Sequence, residues 1–133
     1  MNFDDVEYER WMKQAKNTLE GAQKDLDTEQ YNWSCFKSHQ AAEFSLKAIL
    51  YGFGATPFGH SLIKLLNSLT QLKSIDISPI KSHANTLDRH YIPSRYANSY
   101  ASGSPYEYYD SQTATDAIKC AEKIVNFVEQ LKP

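Results

Sequence analysis

Two arginines, a histidine and several tyrosines lie close together in the second half of the chain. Arg89, His90 and Arg95 fall within seven residues, and Tyr91 and Tyr96 alternate with them. A guanidinium group is permanently charged and binds phosphate through two hydrogen bonds, while an aromatic ring stacks on a base. The pattern therefore predicts a nucleotide-binding site centred on Arg95. The alternative is structural: Arg95 pairs with a carboxylate, and the tyrosines fill one end of the fold.

A second polar group stands in an otherwise apolar segment, residues 35–50, with the sequence CFKSHQAAEFSLKAIL. Glu43 and Lys47 are four residues apart with the acid first, which is the favourable order for an ion pair on a helix. The pair is either a structural contact in the bundle or part of a site. In the second case Lys47 reaches a phosphate beside Arg95.

His60 stands between Gly59 and Ser61, at the predicted start of a helix. It either caps or orients that helix, or it belongs to a polar site at the same end of the fold. The histidines show no short metal-ligand spacing such as HExxH. Cys35 and Cys120 are too far apart for a CxxC motif. We therefore expect no metal site and no cofactor.

Composition limits the class of protein. The chain has 133 residues and a net charge of −2, with 41% hydrophobic and 23% charged residues. This length suits a single domain over residues 1–133, and the slight acidity argues against a broadly basic nucleic-acid surface. No apolar run is long enough to cross a membrane, and the N-terminal segment MNFDDVEYER is too acidic for a signal peptide. We expect a cytoplasmic protein with reduced cysteines.

Apolar spacing predicts an all-α fold. We expect an antiparallel up-and-down bundle of four to five helices, with one long tyrosine-rich loop, residues 91–109, before the last helix. That loop is either a partner-binding surface or a mobile cover. The predicted helices run from about Asp4 to Leu26, from about Glu29 to Phe53, from Ser61 to Leu72, from Ser78–Pro79 to about His90, and from Asp110 or Ser111 to Leu131.

The second helix is apolar on two sides. Cys35 and Leu46 fall on one face, and Trp33 and Phe44 on another. A two-sided helix lies in the middle of a bundle, or it contacts the core on one side and a partner on the other. Because two apolar faces exceed what a bundle with one core needs, we expect a symmetric homodimer.

The order of these segments resembles the HEPN domain family. After a long first helix come QAAEFSLKAIL, a glycine break, GHSLIKLL, YIPSRY and a final helix containing AIKCAEKIVNFV. The resemblance covers nearly the whole chain and implies an antiparallel helical bundle, frequently a homodimer. It also implies a separately encoded minimal nucleotidyltransferase as partner, often in a toxin–antitoxin or defence pair. The activities it implies are nucleotide binding and, in many branches, metal-independent RNA cleavage.

One motif of the RNA-cleaving branches is missing. Those branches carry an arginine followed, after four to six residues, by a histidine. No histidine follows Arg95, and Arg89 is followed at once by His90. Tyr96, which follows Arg95, is a poor general base near neutral pH. We therefore expect a nucleotide-binding or partner-binding module without catalytic residues, with a nucleotide or RNA as ligand. The alternatives are a ribonuclease with a degenerate active site and a purely structural helical dimer.

Overall fold

A computed structural model describes residues 2–133 of the chain. Every regular element in this range is a helix, so the predicted all-α class is confirmed. The helices are α1 (Asp5–Asp27), α2 (Tyr31–Gly52), α3 (Leu62–Leu72), α4 (Lys81–Asp88), α5 (Pro105–Tyr108) and α6 (Ser111–Leu131). Five of them correspond to the predicted helices, and α5 is a single turn within the predicted loop.

Side-chain caps define the starts of three helices. Asp4 accepts a hydrogen bond from the amide of Glu7, as expected for the start of α1. Ser61 caps α3 through the amide of Lys64, and Asp110 caps α6 in the same way. These oxygens satisfy amide groups that have no partner inside the helix.

The start of α4 differs from the prediction. Ser78 and Pro79 do not form its first turn, because the helix begins at Lys81. They lie in a preceding turn, where the carboxylate of Asp76 accepts a hydrogen bond from the amide of Ser78. An aspartate side chain that bonds the backbone two residues later favours such a turn over a helix.

Helix α2 runs through the middle of the bundle. It packs against α1 and α6 along its length and also contacts α3, α4 and α5. Ala41 and Ala48 share the second apolar face with Trp33 and Phe44, and the chain itself buries both alanines completely. The two apolar faces of α2 therefore require no second subunit. The homodimer stays a prediction, but this argument no longer supports it.

The tyrosine-rich segment 91–109 packs on the bundle at several points. The buried amide of Asn32 donates to the carbonyl of Ser94 at 3.0 Å. The rings of Tyr100 and Tyr108 stack with their centres 4.0 Å apart. The hydroxyl of Tyr109 lies 3.1 Å from Nδ1 of His90. The first and third of these contacts hold the segment to α2 and to His90, which follows α4, and the stacked tyrosines join two parts of the segment itself.

The burial of His90 predicts a pH dependence of stability. Burial, assisted by the charges of Arg89 and His39, lowers the pKa of His90 from 6.5 to about 4. As pH falls between these values, the unfolded chain takes up a proton that the folded chain does not. The free energy of unfolding should therefore decrease from pH 6.5 towards pH 4, by up to about 1.4 kcal/mol per pH unit from this group.

Urea denaturation at a series of pH values measures this effect. The control is His90→Gln, which has no titrating group at this position. Its stability should decline less steeply than that of the wild type as pH falls below 6.5. Parallel curves for the two proteins would contradict the assignment to His90.

Candidate functional site

A buried carboxylate on α2 is at the centre of the polar site. Glu43 is 2% exposed and accepts three hydrogen bonds from side chains. The donors are Lys47 Nζ at 2.9 Å, His60 Nδ1 at 3.1 Å and the Gln40 amide at 3.3 Å. A buried charge is tolerated only when it is paired and hydrogen-bonded, and this set of donors meets both conditions.

Lys47 neutralises Glu43. Its side chain is only 10% exposed, and its ammonium group also lies 5.9 Å from the ring centre of Trp11. The predicted ion pair is thus present and buried. The Lys47 ammonium group binds Glu43 in the interior of the bundle. The structure therefore shows it in an ion pair and not directed outwards to a phosphate.

His60 joins Glu43 to an aromatic ring. Its imidazole stacks on Tyr91, with ring centres 4.8 Å apart and 18° between the planes. Because the carboxylate accepts from Nδ1, the neutral ring has its lone pair on Nε2. The side chain is 55% exposed, so this nitrogen is accessible to a ligand. His60 does not cap α3, since Ser61 has that role.

Asp88, at the end of α4, forms a second polar link, which is partly buried. It accepts hydrogen bonds from His39 Nε2 at 3.1 Å and from the amides of Leu62 and Ile63 at 2.8 and 3.1 Å. Burial raises the pKa of Asp88, but these hydrogen bonds together outweigh it and hold the pKa below its usual value. Asp88 therefore fixes the start of α3, and with it the neighbouring His60.

The sequence analysis missed Asp88 and the role of His39. The two residues are 49 positions apart, and no local pattern connects them. The sequence did contain one signal for the role of Asp88. An acidic residue at the C-terminal end of a helix is unfavourable to the helix dipole. Its presence at the end of α4 indicates a specific partner elsewhere in the fold.

Arg95 lies against three aromatic rings. Its guanidinium carbon is 4.4 Å from the ring centres of Phe36 and Tyr91 and 4.8 Å from that of Tyr96. Its Nε donates to the carbonyl of Tyr91 at 3.0 Å. None of the ion pairs within residues 2–133 involves Arg95, so the carboxylate partner of the structural alternative is not found there. The rings hold the cation while its outer N–H groups are left for an anion.

Arg89 lies apart from this cluster. Its guanidinium donates to the hydroxyl of Thr86 at 3.3 Å, and its side chain lines a different pocket of about 210 Å³ beside His90 and Tyr109. The chain turns after α4, and this turn separates Arg89 from Arg95 although they are close in sequence. The structure brings together the other six predicted site residues: Glu43, Lys47, His60, Tyr91, Arg95 and Tyr96.

The ring of Tyr91 is enclosed by other groups of the site. It contacts the rings of Phe36, His39 and His60 as well as the guanidinium of Arg95. Tyr91 therefore supports the two groups that face a ligand, and its ring is not free to stack on a base. Among the predicted aromatic residues, Tyr96 is the exposed one, at 49%.

Metal ligation and thiol chemistry find little support in the arrangement. Across residues 2–133, no three or more His, Cys, Asp and Glu side chains are grouped to hold a metal ion. Both cysteines are free thiols. Burial raises the pKa of Cys35 to about 12 and also raises that of Cys120, so both thiols stay protonated near neutral pH.

Within residues 2–133, no helix has the length and apolar character needed to cross a bilayer.

A comparison with protein families assigns the fold. The HEPN domain model matches residues 8–131, which is nearly the whole chain. The chain belongs to the HEPN domain family. The predicted resemblance is confirmed. No curated protein matches this HEPN domain.

The solved structures similar to this HEPN domain include proteins from Thermus thermophilus, Thermotoga maritima and an archaeon. TT1696 from Thermus thermophilus is 35% identical, with a TM-score of 0.88 over 92% of this chain and 96% of that one. ST0689, an archaeal HEPN homologue, is 37% identical, with a TM-score of 0.76 over 94% and 98% of the two chains. An HEPN domain protein from Thermotoga maritima is 34% identical, with a TM-score of 0.73 over 92% and 96%.

The buried ion pair predicts a stability change on substitution. Glu43→Gln keeps the shape of the side chain but leaves the Lys47 charge buried without its partner. We expect the free energy of unfolding to fall by about 3 kcal/mol, as measured by urea denaturation. The double variant Glu43→Gln, Lys47→Met should recover most of the loss, because it removes both charges. A single variant as stable as the wild type would show that the pair is not buried in solution.

Proposed function

We propose that this HEPN domain protein is a nucleotide-binding module whose ligand phosphate binds Arg95. The observation that carries the proposal is the environment of this arginine. The guanidinium is half-buried against three aromatic rings and has no ion-pair partner among residues 2–133. A permanently charged, pre-positioned fork of N–H donors suits a phosphate group.

His60 adds a second contact for the same ligand. It stacks on the ring of Tyr91, which Arg95 also contacts, and Glu43 fixes its orientation. Nε2 accepts a hydrogen bond from a ligand when the ring is neutral, and both nitrogens donate when it is protonated. Glu43 lies on α2, His60 directly precedes α3, and Arg95 lies in segment 91–109, which Asn32 of α2 holds through the carbonyl of Ser94. A ligand therefore meets groups that are held in place before it binds.

The proposal predicts a loss of nucleotide affinity on removal of Arg95. A hydrogen bond to a charged group contributes roughly 1.5–3 kcal/mol, so Arg95→Ala should weaken binding about tenfold to a hundredfold. Calorimetry with ATP, AMP and a short single-stranded RNA measures the effect. The matched control is Arg89→Ala, which removes an arginine outside the cluster and should bind as the wild type does. Equal affinity in Arg95→Ala would place the site elsewhere.

A metal-independent ribonuclease is the second candidate, and the contact between Glu43 and His60 favours it. A carboxylate that orients an imidazole is a common way to position a general base. In RNA cleavage, Nε2 of His60 would accept the proton of a ribose 2′-hydroxyl, and the 2′-oxygen would attack the adjacent phosphorus. The bond from phosphorus to the 5′-oxygen would break, with water protonating that oxygen, while Arg95 stabilises the charge on the phosphate. The Arg–His spacing of the cleaving branches is nevertheless missing, and we expect no cleavage above background.

Incubation of the purified protein with RNA in the presence of EDTA separates the two candidates. Cleavage that is lost in both His60→Asn and Arg95→Ala would favour the ribonuclease. Cleavage that persists in both variants would indicate a contaminating enzyme. If the wild type, His60→Asn and Arg95→Ala all fail to cleave RNA, and the wild type binds a nucleotide, the result supports the binding module.

In this proposal the protein acts with a separately encoded minimal nucleotidyltransferase, in a toxin–antitoxin or defence pair, and forms a cytoplasmic homodimer. Membership of the HEPN family supports the pairing. A partner surface is available beside the site, where Trp33, Ile92 and Tyr96 are 41–52% exposed. Aromatic residues and arginine are typical anchors of protein interfaces. Light scattering gives the mass of the particle in solution and so tests the dimer. Co-purification with a nucleotidyltransferase encoded beside the gene tests the pairing.

A further inference from the structure

We propose that the pocket between segment 55–61 and α3 binds a small molecule that carries a carboxylate on an aromatic or branched apolar body. Arg95 is not among the residues that line this pocket, so the site is separate from the proposed phosphate site and does not depend on it. The observations behind the inference are the apolar lining of the pocket, the single free cation at its wall and the exposed ring of Phe58.

The pocket has the size and lining of a small-molecule site. Its volume is about 530 Å³, within the usual range for such sites. Leu50 and Leu65, which are 0% and 2% exposed, line it from the side of the core, and Ala55 and Pro57 add further apolar surface. An apolar group seated there leaves water and contacts these side chains, which is the main source of affinity in such a site.

The charged groups at the pocket favour an anion. Within the described part of the chain, its lining includes Lys64 but no aspartate or glutamate. None of the ion pairs among residues 2–133 involves Lys64, so its ammonium group has no carboxylate partner there. Hydroxyl groups of Thr56, Ser61 and Ser68 also line the pocket. A carboxylate accepts hydrogen bonds from ammonium and hydroxyl donors alike.

The polar contacts of His60 leave this role to Lys64. His60 lines the pocket, but its Nδ1 faces Glu43, so the neutral ring presents a lone pair at Nε2 and has no second donor for a carboxylate. Glu43 itself is 2% exposed and engaged by three donors. Its charge is therefore matched inside the bundle and is not presented to a ligand.

Phe58 provides an aromatic surface beside the pocket. Its side chain is 90% exposed although it belongs to the lining. Within residues 2–133 its ring stacks on no other aromatic ring. The ring thus contributes little to the core, and it is available to pack on an apolar group of a ligand.

The loop that carries Phe58 is held at both ends and free between them. The amide of Ala55 donates to the carbonyl of Leu50 at 2.9 Å, and His60 is bonded to Glu43 at the other end. Among residues 2–133, no backbone hydrogen bond outside the helices holds residues 56–59. The phenyl ring can therefore turn over a bound molecule while the ends of the loop stay in place.

Titration of the full chain with 3-phenylpropionate and with its neutral counterpart 3-phenylpropanol tests the inference. The two probes share the ring and the chain and differ in the charge. In amide NMR spectra the wild type should bind the acid saturably at millimolar concentration or below, and more tightly than the alcohol. The shifted amides should lie in segment 55–61 and α3.

Three variants separate the contributions of charge, ring and space. Lys64→Met should weaken binding of the acid about twofold to fivefold and leave the alcohol unchanged, because it removes only an exposed charge. Phe58→Ala should weaken both probes about twofold to tenfold. Ser68 is exposed on α3, so Ser68→Trp should fill the pocket without disturbing the core and abolish binding of both. The matched control is Lys123→Met, which removes an exposed lysine on α6 outside the pocket.

The outcomes that would overturn the inference are distinct. Equal wild-type affinities for the acid and the alcohol, or equal binding of the acid by Lys64→Met and the wild type, would exclude Lys64 as a carboxylate-binding group. Binding that survives Ser68→Trp, or that shifts amides only beside Arg95, would place the molecule outside the pocket. A wild type that binds neither probe saturably would exclude the site altogether.

Discussion

The carboxylate of Glu43 is buried in the middle of the bundle, and a charge in that position must be matched by donors within hydrogen-bond distance. Its three donors come from α2 and from the segment that precedes α3. Through His60 this single carboxylate holds the loop after α2 against the bundle. The Tyr91 ring then stacks on His60, and Arg95 lies on Tyr91. The position of the proposed phosphate-binding group thus depends, through two aromatic contacts, on a charge in the core.

A second carboxylate makes this arrangement rigid. Asp88 binds the first amides of α3, so the helix that follows His60 is fixed from the side of α4. Gln40 connects the two polar links, those of Glu43 and of Asp88, because its amide donates both to His39 Nδ1 and to Glu43, at 3.2 and 3.3 Å. Both ring nitrogens of His39 are thereby engaged, one with Gln40 and one with Asp88. A network whose members are all satisfied specifies one arrangement of α2, α3 and α4.

The sequence predicted contacts between residues close together in the chain, and it did not predict contacts between distant segments. Helical periodicity predicted α1 to α3 and α6 closely, and the spacing of Glu43 and Lys47 predicted their ion pair. These features depend on residues a few positions apart. The contact of His60 with Glu43 and that of Asp88 with His39 join distant segments, and no local pattern encodes them. Arg89 is the converse case, because it is close to Arg95 in sequence but lines a different pocket, beside His90 and Tyr109.

The two apolar faces of α2 favour a partner subunit when the sequence is considered alone, but the structure explains them by the central position of this helix in the bundle. Two apolar faces and a polar stripe are typical of a helix shared between a core and a partner. In this fold the chain surrounds most of the helix, and the stripe, with Gln40, Glu43 and Lys47, faces the bundle interior at the end where α3 and α4 meet it. Two exposed aromatic rings, those of Trp33 and Tyr96, lie beside Arg95. Because that surface adjoins the proposed phosphate site, a protein partner seated there would contact the same residues that bind a nucleotide, and the two occupants would influence each other's affinity.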